Sequence, residues 1–78
     1  MTHMIPNGVT NSTVEHCIDE YVRFERDRNM LRDHWFGGMS FVALASKYDM
    51  SLPAVKSIVY TVGDGVLTRA TEINRLVF

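Results

Sequence analysis

The stretch GGMSFVALASKYDMSLPAVKSIVYTVGDG, Gly37 to Gly65, carries two short bursts of helix-like apolar spacing interrupted by Asp49-Met50-Ser51. Gly37-Gly38 supplies the positive-φ geometry that ends a preceding helix. Ser40 then stands one residue before FVALASKY, and Ser51 one residue before LPAVKSIVYTV. A serine hydroxyl at such a position accepts a hydrogen bond from a free backbone N–H of the first helical turn, so each serine marks a helix start. Asp49 falls where the chain must turn sharply, and aspartate tolerates the left-handed conformation better than most side chains. Pro53 is acceptable in a first helical turn but disfavours helical geometry at Leu52, so the second helix is expected to begin one residue later than Ser51 implies.

Around this turn Leu44, Ala45, Tyr48, Met50, Val55 and Ile58 are spaced as two crossing helices require. A small residue, Ala45, sits where the backbones approach, and larger apolar residues fill the inward face of each helix, for a crossing of roughly 90–120°.

Upstream, residues 1–11 contain Pro6, Asn7 and Gly8 without periodicity and read as a mobile arm. Residues 12–78 then form a single helical domain. Ser12 and Glu15 match a capping box, and Val14, Cys17, Ile18, Tyr21 and Val22 follow on one helical stripe. The charged run FERDRNMLRD, 24–33, contains no Gly or Pro, which favours one long helix continuing to Trp35 over a break near Asp27 to Asn29 that divides two helices; Trp35 and Phe36 are expected to anchor its end in the core. Downstream, Gly63-Asp64-Gly65 reads as a loop before a final amphipathic helix that carries Val66, Leu67, Ala70, Ile73, Leu76 and Val77. The same Asp64-Gly65, flanked by β-branched residues, is also a hairpin signal, and residues 58–70 are open to either reading. The expected fold class is all-α: a small helical domain with a central helix-turn-helix and a C-terminal helix.

With 78 residues the chain has room for one small core, so self-association is expected to contribute to stability. A content of 46% hydrophobic and 22% charged residues excludes a disordered or strongly biased chain. No apolar run is long enough to cross a bilayer, the N-terminus lacks the features of a secretory signal, and one cysteine cannot form an internal disulfide. These features point to the cytoplasm and away from a membrane. Eight Lys+Arg against nine Asp+Glu give a formal charge of -1, without the basic excess common in nucleic-acid binders, so the distribution of charge has to decide. His3, His16 and His34 are scattered, Cys17 lies on an apolar stripe, and no metal-ligand spacing, nucleotide-binding glycine fingerprint or acid–base constellation occurs. Neither an enzyme nor a cofactor is expected.

Over about residues 37–62, with GGMSFVALASKYDMSLPAVKSIV as its main part, the chain resembles the DNA-binding helix-turn-helix of Mor-type phage transcription activators, of region 4 of sigma factors and of resolvase-type recombinases. It departs from the usual pattern at Asp49, where glycine is common, and at Pro53. The resemblance implies a small sequence-specific transcription regulator that binds double-stranded DNA with the second helix of the motif in the major groove. With Val55, Ile58, Val59 and Val62 turned inward, Ser51, Leu52, Pro53, Lys56, Ser57 and Tyr60 face outward. Lys56 suits guanine acceptors or phosphate, the serines are permissive donors, and Leu52 suits a thymine methyl. Phosphate contacts are expected from Ser40 and Lys47 and from Arg28, Arg32 or His34. The alternative for these cations is a solvated, ion-paired helix face.

So few cations imply a homodimer, which doubles the contacts. The first-helix stripe and the tail around Ile73, Leu76, Val77 and Phe78 are its candidate surfaces, with intrachain core as the alternative. The competing function is a protein-interaction module that binds RNA polymerase or another regulator through Trp35, Phe36, Met39 and Phe41.

Overall fold

Thr10 starts the first helix among the described residues. The computed structural model describes residues 9–77, with side chains described as far as Ile73, so most of the expected arm lies outside the described residues. Helix α1 spans Asn11–Tyr21, and the Thr10 hydroxyl accepts from the Thr13 N–H at 3.2 Å. The expected capping box at Ser12 is therefore displaced: Thr10 offers the same hydroxyl two residues earlier, and Ser12 is already helical.

The expected continuous helix to Trp35 does not form. The chain is extended at Val22 (φ -85, ψ 122) and at Phe24 (φ -95, ψ 130), and a separate helix α2 runs over Glu25–Trp35. No Gly or Pro marks this corner; a cation holds it. The Arg28 guanidinium donates to the carbonyl oxygens of Val22 at 2.8 Å and Arg23 at 3.2 Å, which the break removes from helical pairing. The charges of α2 also have the polarity of an independent helix, with Glu25 and Asp27 in the first turn and Arg32 in the last, each complementing the helix dipole. The break turns Val22 into the core at 4% exposure and leaves Phe24 outside at 66%.

Two glycines end α2 for different reasons. Gly38 adopts φ +70, and a Cβ at Gly37 would lie 2.7 Å from the Asp33 carbonyl oxygen. Helix α3 spans Phe41–Lys47, and helix α4 spans Leu52–Val77. Gly63-Asp64-Gly65 therefore forms neither the expected loop nor a hairpin; it is helical, and the described residues contain no strand. A glycine inside a helix costs roughly 1 kcal/mol relative to alanine. Close packing offsets this cost: Gly63 is buried, and a Cβ on Gly65 would come within 2.8 Å of Tyr21 Cε2, where α1 crosses α4. At 26 residues, α4 is about 39 Å long, which matches the 40 Å longest dimension of the fold. One helix thus joins the turn after α3 to the packing surface of α1.

The core draws on all four helices, with Val14 and Ile18 of α1, Met30 and Leu31 of α2, Leu44 of α3 and Val55, Val59 and Val66 of α4 fully buried. Of the first-helix stripe offered as a dimer surface, Val14, Cys17, Ile18 and Val22 are therefore intrachain core, while Tyr21 stays 47% exposed. Trp35 packs against this core as expected, whereas Phe36 stays 37% exposed. In the tail, Val66, Leu67 and Ala70 are buried and Ile73 is 36% exposed; the side chains of Leu76, Val77 and Phe78 lie outside the described residues.

The contact between Gly65 and Tyr21 makes a double-mutant prediction. In a Tyr21→Ala background, Gly65→Ala should stabilise the fold by about 0.5–1 kcal/mol through helix propensity. In the wild type the same change should stabilise less or destabilise. Chemical denaturation of the four proteins measures the difference, and equal effects in both backgrounds would contradict the close approach.

Candidate nucleic-acid interface

Ser40 caps α3, its hydroxyl accepting from the Ala43 N–H at 3.1 Å and its carbonyl from the Leu44 N–H at 2.9 Å. The helix closes at Tyr48, whose N–H donates to the Leu44 carbonyl at 2.9 Å. Asp49 then takes φ 54, the one positive φ on a non-glycine among the described residues. This left-handed step reverses the chain, and the Met50 N–H donates back to the Ala45 carbonyl at 2.9 Å. Ser51 starts α4 by accepting from the Ala54 N–H at 3.3 Å on its hydroxyl and from the Val55 N–H at 3.1 Å on its carbonyl. The delay expected from Pro53 does not occur. Leu52 is the first helical residue, because proline in the first turn removes an N–H that has no helical partner there.

Beneath the turn, Leu44, Val55 and Val59 are fully buried, with Ala45, Tyr48, Met50, Ile58 and Val62 packed against them. The opposite side of α4 exposes Ser51, Pro53, Lys56, Ser57 and, at 37%, Tyr60, while Leu52 is partly buried. Phe41 fixes the position of Tyr60. Its ring meets Tyr60 edge-on at 5.7 Å and stacks on His34 at 4.7 Å, so one aromatic from each of α2, α3 and α4 supports the exposed face.

The cations expected at phosphate are mostly engaged within the chain. Lys47 Nζ lies 2.7 Å from Asp33 Oδ2, and Arg32 pairs with Asp19 and, at 3.7 Å, with Glu15. Arg28 holds the corner after α1. His34 Nδ1 lies 2.8 Å from the Met39 carbonyl oxygen, which can only accept, so this nitrogen carries the proton. Lys56 is exposed on the face described above. Among the described residues no three of His, Cys, Asp and Glu come together as a metal set, and Cys17 is a buried thiol whose pKa burial pushes up.

Sequence reasoning missed two features. Asp33 joins α2 to the end of α3, since its Oδ2 accepts from both Lys47 Nζ and, at 2.5 Å, the Tyr48 hydroxyl. Their separation in sequence, 14 and 15 residues, leaves no local pattern to detect. The second feature is an open groove of about 290 Å³ between the α1–α2 corner and α4, lined by Tyr21, Phe24, Asp27 and Val62 among others. The aromatic set expected for protein docking is instead turned largely inward, with Trp35, Met39 and Phe41 packed against the core.

Comparison with known proteins finds no matching family model, curated protein or solved structure.

The Asp33–Tyr48 contact carries a pH signature. The Lys47 and Tyr48 hydrogen bonds lower the Asp33 pKa below 3.8, and burial followed by the Asp33 contact pushes the Tyr48 phenol from 10.0 to about 12. Asp33 thus contributes stability that is present in neutral solution and lost as pH falls through its lowered folded pKa. Tyr48 contributes stability that is fully present below pH 10 and lost as pH rises toward 12. Denaturation midpoints measured across pH 9–12 should show this alkaline loss, and Tyr48→Phe should reduce its slope; an unchanged slope would contradict the assignment.

Proposed function

We propose that the chain is a small sequence-specific DNA-binding transcription regulator of the cytoplasm that acts as a homodimer and lays the first turns of α4 in the major groove. The observation that carries this reading is the pivot at Asp49, φ 54, between two serine-capped helices, the second of which keeps one side of its start exposed. The resemblance of about residues 37–62 to the helix-turn-helix of Mor-type activators, sigma region 4 and resolvases supports the same reading.

The major groove admits an α-helix, and the helix start meets the base edges. Lys56 is then the strongest reader, placing its ammonium against guanine O6 and N7. Ser51 and Ser57 donate or accept, Tyr60 adds a phenol one turn beyond Lys56, and the partly buried Leu52 offers its edge to a thymine methyl. Lacking arginine, asparagine and glutamine, this face has no bidentate base contact, and each good contact supplies on the order of 1–3 kcal/mol. Specificity therefore needs two copies reading half-sites one helical turn apart, roughly 34 Å. A second reading, docking onto a protein such as RNA polymerase or another regulator, is favoured by the exposed Phe24 and Tyr21 beside their groove.

Fluorescence anisotropy against duplex DNA at several salt concentrations tests the proposal. Affinity should fall steeply with salt, and Lys56→Ala should weaken binding by about tenfold. Salt-insensitive behaviour, or no loss in Lys56→Ala, would favour protein docking.

A further inference from the structure

We propose that Asp33 is a positioning residue that withholds Lys47 from DNA phosphate, so that the helix-turn-helix binds through α4 with little help from the end of α3. The inference rests on the DNA-binding reading and assigns a partner's access to that same site.

Lys47 is in the last turn of α3, two residues before the pivot, half exposed and 2.7 Å from Asp33 Oδ2. A lysine at this place in the sequence looks like a phosphate contact. Its charge is already opposed: an ammonium and a carboxylate in contact present almost no net charge to an approaching phosphate, and the carboxylate itself repels the phosphate. An exposed pair of this kind is ordinarily weak, worth about 0–1 kcal/mol, because both side chains are free to swing apart. Here one partner is fixed. The Tyr48 hydroxyl donates to the same Oδ2 at 2.5 Å, and Tyr48 is itself packed against the core, so the carboxylate stays beside Lys47. Asp33 is only a quarter exposed, whereas Lys47 is half exposed, which makes the acid the anchor and the lysine the tethered group.

The arrangement predicts that the two members of the pair behave oppositely in binding. Each phosphate neutralised by a free cation steepens the dependence of log affinity on log salt by about 0.9. Lys47→Ala in the otherwise native protein should leave that slope unchanged, because the lysine neutralises no phosphate. Asp33→Asn, which keeps an acceptor for Tyr48 and removes the charge, should raise affinity severalfold and steepen the slope by about 0.9 per bound copy. Asp33→Asn/Lys47→Ala should return the slope to the native value. A residue that merely stabilised the fold would not move the slope in this pattern.

The experiment is anisotropy titration of the full chain on a mixed-sequence duplex from roughly 50 to 200 mM salt, with circular dichroism to verify folding. Native binding with a slope flattened by Lys47→Ala, or unchanged by Asp33→Asn, overturns the clamp while leaving the DNA-binding reading intact. Absence of binding by both the native and the Asp33→Asn protein at the lowest salt overturns both. Should Asp33→Asn fail to fold, Lys47→Ala alone decides, since the clamp requires its slope to equal that of the native chain.

Discussion

One backbone step, the left-handed conformation at Asp49, sets the direction of everything that follows it. With φ at 54, the residue breaks the helical path after Tyr48 and lets the Met50 N–H return to the Ala45 carbonyl, so the chain reverses within the turn and α4 leaves in a new direction. A right-handed residue there would prolong α3 and carry Val55 and Val59 away from Leu44. Left-handed geometry costs most side chains roughly 1–2 kcal/mol, and aspartate less, because its short polar group bonds locally. The buried contacts among Leu44, Val55 and Val59 more than offset that cost. Ser40 and Ser51 do the remaining local work by capping the helices on each side.

The far end of α4 obeys a different constraint. Gly63 and Gly65 weaken the helix locally, but Gly65 lets α1 come close, with Tyr21 lying over it and the Arg69 guanidinium 5.6 Å from the Tyr21 ring. A single rod therefore links the turn, where one side is exposed, to the α1 contact, where it is buried. The helix whose start leaves side chains exposed is also the helix around which the core is built. Such a scaffold holds its exposed side chains on a rigid element.

Local chemistry was legible in the sequence where the signal is short-ranged. Ser40, Ser51 and Asp49 each act through backbone groups within four residues, and each was readable from residue type and position. The inward set of Val55, Ile58, Val59 and Val62 was readable from helical periodicity. What escaped was set by tertiary contacts. The corner at Val22–Phe24 carries no Gly or Pro, and its stabilising group, Arg28, lies six residues downstream of the Val22 carbonyl. Gly63-Asp64-Gly65 has the composition of a turn, yet packing against α1 overrides it. For the candidate interface, the exposure of Pro53, Lys56, Ser57 and Tyr60 on α4 followed from spacing, though Leu52 is partly buried, whereas the pairing of Lys47 with Asp33 and of Arg32 with Asp19 depends on how α2 lies against α3 and α1.

The chain's near-neutral charge takes on meaning through these pairings. Cations at Arg26, Arg32 and Lys47 are each matched by a carboxylate in contact, whereas Lys56 stands exposed at the start of α4 beside hydrogen-bonding side chains. The central claim is that this side of α4 is the contact surface. Titrating the isotopically labelled protein with duplex DNA while following backbone amide shifts tests it most directly. The largest changes should fall on Ser51 to Tyr60, and none of comparable size on α1. Changes centred on Tyr21 and Phe24, or no changes at all, would contradict the account.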